Sequence, residues 1–120
     1  MGTGLKVALL AAAVAVSVVL LVVLRPGGDG SGPEAARAEL VVRDSEVSGP
    51  RRIELEQGQQ FVLVVEADVS DEVHIHGYDI LRDVGPGEPA RFEFRAETAG
   101  RFDVELEQSQ QPLTELVVSP

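Results

Sequence analysis

The chain has 120 residues, enough for one compact domain with short appendages but not for two domains. Twenty Asp and Glu against ten Lys and Arg leave a net charge of −10, which repels phosphate backbones and excludes nucleic acid as a partner. There is no Cys, which excludes disulfides, zinc–cysteine sites, thiol nucleophiles and a lipidated cysteine anchor.

After a short tail at residues 1–6, Val7 to Leu24 runs for eighteen residues with Ser17 as its only polar member. As a helix this stretch would be about 27 Å long, close to the hydrocarbon thickness of a bilayer. It is expected to anchor the chain in the cell membrane as a single pass. A cleaved signal peptide is the competing reading. No small-x-small site lies just after the apolar run, and Ala36-Arg37-Ala38 lies more than a dozen residues downstream of it. The amino terminus and Lys6 on one side, against Arg25 alone on the other, favour an inside N-terminus and an extracytoplasmic C-terminal domain.

Residues 25–37 are expected to be a linker, with Gly27, Gly28, Gly30, Gly32 and two prolines and nothing to bury. Beyond Gly28 twenty acids meet eight bases, a net −12 that keeps this part off an anionic bilayer surface.

Residues 38–120 are expected to form the outer domain, and from Ala38 onward the apolar period is two. Strands are expected at residues 39–43 and 52–56, the second alternating strictly with Ile53 and Leu55 inward. Residues 61–65 are apolar on both faces, as in a central strand. A polar connection at 68–72 leads to a strand at 73–76, and Ile80 to Val84 forms another. Residues 91–95 and 101–107 alternate cleanly, and the last strand covers 113–118. Seven or eight short strands with no helical period read as an antiparallel β-sandwich. Phe61, Phe92, Phe94 and Phe102 are expected in its core.

Both histidines lie in Asp71-Glu72-Val73-His74-Ile75-His76-Gly77-Tyr78-Asp79. On an extended strand residues 74, 76 and 78 share one face while Val73 and Ile75 point to the other. Two imidazoles about 7 Å apart at their Cα atoms can converge on one cation. Neutral imidazole suits Cu(II), Zn(II) and Ni(II), and Asp71, Glu72 and Asp79 could add oxygen ligands. The bland alternative is that the imidazoles simply hydrogen-bond backbone or carboxylates. Tyr78 is expected over the histidine face. The same-face acids Glu54 with Glu56, and Glu105 with Glu107, read as a solvated sheet surface. No Gly-x-Ser-x-Gly elbow surrounds any serine, and Gly28 to Gly32 has neither the preceding strand nor the following helix of a phosphate loop. The sequence therefore reads as non-enzymatic.

The stretch from about Ala38 to Val118 resembles the cupredoxins, the plastocyanin-like copper domains. The likeness rests on the strand Asp71-Glu72-Val73-His74 after an acidic loop and on the Gly85-Pro86-Gly87-Glu88 turn before Arg91-Phe92-Glu93-Phe94. Ala99-Gly100-Arg101-Phe102-Asp103-Val104 completes it, similar to the family's G-x-[FY] strand. The resemblance implies a Greek-key sandwich, and a blue-copper centre built from an early His, a Cys, a second His and usually an axial Met. His74 falls at the early-His position, but the Cys position falls near Leu106, and Gln108 to Leu113 supplies neither His nor Met. The fold is implied; electron transfer is not. Two functions stand: a module binding copper or another divalent cation through His74 and His76, with an envelope partner protein completing the shell, or a metal-free interaction domain.

Overall fold

The computed structural model describes residues 33–120. The expected anchor at 7–24 and most of the expected linker lie outside the described residues. No helix among the described residues is long and apolar enough to cross a membrane.

The alternating segments form nine strands: β1 (Ala36–Arg43), β2 (Glu46–Ser48), β3 (Arg52–Glu56), β4 (Gln60–Ala67), β5 (Asp71–Ile75), β6 (Ile80–Val84), β7 (Ala90–Arg95), β8 (Gly100–Leu106) and β9 (Gln111–Ser119). They make two sheets, ordered β2-β1-β4-β7 and β3-β9-β8-β5-β6. The inward positions of both sheets meet in one core. Leu40, Phe61, Leu63, Val65 and Phe92 come from the first sheet, and Val73, Ile75, Val104, Leu106 and Leu116 from the second, all with no measurable exposure. Period-two patterning decides this, because each strand offers its odd or even positions to the opposite sheet.

Some expectations about the strands are corrected. The sheets are mixed, not purely antiparallel: β1 lies parallel to β4, and β3 parallel to β9. Alternation sets which face a residue takes, not the direction of the neighbouring strand. Here the chain leaves the first sheet after β2 and lays β3 along the edge of the second. The short strand β2 carries no alternation that marks it in the sequence, since only Val47 among its residues is apolar. Strand β1 starts at Ala36, two residues inside the stretch read as linker, and Ala36 is buried. The expected central strand is central: β4 has β1 on one side and β7 on the other.

Phe61 and Phe92 are fully buried, whereas Phe94 and Phe102 are only partly covered and pack on the core's rim. Tyr78 joins them, its ring 5.0 Å from Phe94 and 4.7 Å from Phe102, with its hydroxyl donating to the Thr98 carbonyl at 2.7 Å. It does not cover the histidines. Strand β5 ends at Ile75, and residues 76–79 turn the chain, so the alternation linking 74 and 76 to 78 is broken. Gly77 is at φ 87°, and a Cβ there would stand 2.2 Å from the Phe102 ring, so only glycine fits.

Candidate metal centre

Strand β5 sits between β6 and β8 in the five-stranded sheet, and register places His74 opposite Glu105. Directly opposed residues of an antiparallel pair project to the same face. His74 and Glu105 therefore both point outward, while Val73 and its opposite Leu106 point into the core. The His76 backbone N–H still donates to Asp103 at 2.9 Å, and the Glu107 N–H to Glu72 at 2.7 Å. The outward series thus runs one residue past each strand end. It ends with His76 beside Glu105 and with Glu107 beside His74.

Four donor groups meet there. His74 Nδ1 and Glu107 Oε2 are 2.9 Å apart, and His76 Nε2 and Glu105 Oε1 are 2.7 Å apart. The two imidazole rings lie 4.3 Å apart at a 36° tilt. One ligand-type atom from each of His74, His76, Glu105 and Glu107 can be chosen so that all lie within 4.8 Å of one another. The hydrogen bond that His76 donates to Glu105, aided by the negative charges of Glu105, Glu107 and Asp103, raises the His76 pKa above its ordinary value, although partial burial opposes this.

The other expected ligands divide. Asp79 comes back to the site: its left-handed backbone (φ 54°) in the 76–79 turn sets Oδ1 3.9 Å from His74 Nε2. Asp71 goes the other way. It is buried on the inner side, and its carboxylate accepts backbone N–H groups from Glu72 at 2.7 Å, Gln108 at 2.8 Å and Ser109 at 3.1 Å. Burial pushes its pKa up, but these hydrogen bonds outweigh it and hold the carboxyl below its ordinary value. Glu72 is half-buried on strand β5 and is not among the four converging donors. Glu105 and Glu107 lie on the outward face of the sheet, as the alternation predicts, and each also pairs with a histidine, which it does not predict. Their same-face spacing was visible in the sequence, but the pairing of β8 with β5 that places them beside the histidines was not.

A blue-copper centre does not fit these residues. The chain has no Cys, and its only Met is Met1. Moreover, Leu106 faces inward where His74 faces outward, so a side chain at 106 could not share an ion with His74. The imidazole and carboxylate set does suit a divalent ion such as Zn(II) or Cu(II).

No protein-family model and no curated protein matches the chain. Solved structures do. A copper binding protein in its apo form aligns with a TM-score of 0.58 at 16% identity, over 71% of this chain and 88% of that one. The metal binding domain of the Cu(I) exporting P-type ATPase CopA from Streptococcus pneumoniae D39, solved with Cu(I), gives 0.60 at 16%, over 72% and 87%. A purple cupredoxin from Nitrosopumilus maritimus gives 0.51 at 13%, over 68% and 99%. At such identities the likeness is one of fold. The described chain is a cupredoxin-like β-sandwich without the blue-copper ligands.

Proposed function

We propose that the chain is a membrane-anchored, extracytoplasmic cupredoxin-like domain that binds copper or another divalent cation at His74 and His76. The observation that carries this reading is the convergence of His74, His76, Glu105 and Glu107, with donor atoms within 4.8 Å on one sheet face. Imidazole and carboxylate are borderline and hard donors, matched to divalent ions, and no thiolate is among them. The copper-binding neighbours of the same fold support the reading. The net −12 beyond Gly28 raises the local cation concentration, most strongly at low salt. Without thiolate, copper bound here gives no intense absorption near 600 nm. No catalytic role is proposed.

A second reading is favoured by one fact: each imidazole already has a carboxylate partner, so the group is satisfied without an ion. On that reading the sandwich is a metal-free interaction module for an envelope protein. Calorimetric titration of the full chain with Cu(II) and Zn(II) at pH 7.5 separates the two. The metal reading expects one ion per chain, and His74→Ala or His76→Ala should weaken binding at least about tenfold, the scale on which loss even of an orienting partner is felt. If both variants bind copper like the parent, the metal reading is wrong.

A further inference from the structure

We infer that Glu107 and Glu105 do not hold the ion but orient the imidazoles, and that the ion lies between His74 Nε2 and Asp79. This rests on the metal reading above and assigns the atoms of that site.

The distances separate proton-filled gaps from an ion-sized one. Two ligand atoms on one tetrahedral ion, each about 2.0–2.2 Å from it, stand roughly 3.3–3.6 Å apart. The His74 Nδ1–Glu107 and His76 Nε2–Glu105 separations of 2.9 and 2.7 Å are shorter than this and match ordinary hydrogen bonds. An ionised carboxylate can only accept, so each ring nitrogen there carries the proton. That leaves the lone pairs on His74 Nε2 and His76 Nδ1. Neither atom makes a hydrogen bond among the described residues.

His74 Nε2 faces Asp79 Oδ1 at 3.9 Å, too far for a hydrogen bond and a few tenths of an ångström wider than a shared ion needs. The Asp79 side chain is 87% exposed and can close that difference by rotation, whereas the His74 ring is mostly covered and held from behind by Glu107. Carboxylate, imidazole and ion in line is the usual way a ligating histidine is kept in one tautomer. The 76–79 turn, which requires Gly77, delivers the oxygen on the far side of the ring from Glu107. His76 and Glu105 form a second such pair, with its open nitrogen Nδ1 on a ring 4.3 Å away.

The test is zinc(II) titrated into the full ¹⁵N-labelled chain in detergent at pH 7.5, with two-bond ¹H–¹⁵N spectra of both imidazoles. The expected result is zinc on His74 Nε2 with Nδ1 still protonated. Asp79→Asn should weaken zinc at least about tenfold, and Glu107→Gln should bind more weakly while keeping zinc on Nε2. Zinc on His74 Nδ1, or Asp79→Asn binding like the parent, overturns the assignment and leaves the metal reading standing. No change in either ring at millimolar zinc overturns the assignment, and if Cu(II) also leaves both ring signals unbroadened the metal reading itself is overturned.

Discussion

Asp71 and His76 carry opposite electrostatic assignments within one short stretch. Asp71 is a structural carboxylate: it ties the start of β5 to the β8–β9 turn through the Gln108 and Ser109 backbone N–H groups, and accepts a third from its neighbour Glu72. Asp71→Ala would strand those donors and should cost about 2–4 kcal/mol, read as a lower urea midpoint at unchanged m-value. Because its folded pKa lies below the ordinary 3.8, its stabilisation is full above that value and is lost as pH falls through the depressed one. His76 behaves inversely. Its folded pKa is raised above 6.5, so the His76–Glu105 pair stabilises the metal-free fold fully below 6.5 and loses that effect as pH rises through the raised value. The His76 side chain is nearly half exposed (46%), so solvent screening keeps the contribution under about 1 kcal/mol. Thermal melts without metal should be slightly higher at pH 6 than at pH 8, and Glu105→Gln should flatten that difference. Metal runs the other way: protonated imidazole cannot ligate, so affinity should begin to fall at a pH above that expected of an unperturbed histidine.

At the scale of elements, the least favourable local geometry is the β1–β2 hairpin. Val42 pairs with Val47 and Arg43 with Glu46, leaving Asp44 and Ser45 as a two-residue loop, both left-handed at φ 51° and 65°. That is the type I′ arrangement, for which Asp-Gly is preferred over Asp-Ser. The loop is held from outside, with the Asp44 N–H donating to Asp68 at 2.9 Å and Gln111 donating to the Ser45 carbonyl at 2.7 Å. Ser45→Gly removes the side-chain strain and keeps both hydrogen bonds. It should raise stability by about 0.5–1 kcal/mol, measurable by denaturant unfolding. A loss of stability there would mean that the loop conformation differs in solution. Strand β6, at one edge of its sheet, leaves Leu81 exposed beside His74, with Arg82 reaching over the Phe92 ring at 5.7 Å.

At the scale of the whole molecule, the proposed tether and the proposed site lie in different parts of the chain and can be tested apart. If residues 7–24 remain as an anchor, the protein stays in the membrane pellet after alkaline washing. Protease added to intact spheroplasts should then release the sandwich at the glycine-rich stretch before Ala36. A soluble form beginning near Glu39 would show cleavage after Ala36-Arg37-Ala38. Such cleavage would also cut into β1, where Ala36 pairs with Phe61 and Ala38 with Leu63, and should lower stability.

The strands and the core were legible because period-two alternation is a local property. Ile53 and Leu55, or Val73 and Ile75, announce their inner face without knowledge of any partner. His74 and His76 were legible as a same-side pair for the same reason, although it is a turn residue at 76, held by Asp103, that completes the pair. What only the tertiary structure decided is everything that depends on which strand lies beside which. The parallel β1–β4 and β3–β9 pairings were not legible, because strand direction leaves no trace in alternation. Asp71 looked like a ligand until the β8–β9 turn folded over it and took its oxygens. Glu105 and Glu107, more than twenty-five residues from the histidines, were legible only as surface until β8 paired with β5. Sequence sets the face a side chain occupies; the register between distant strands sets its neighbours, and a site for an ion is made of neighbours.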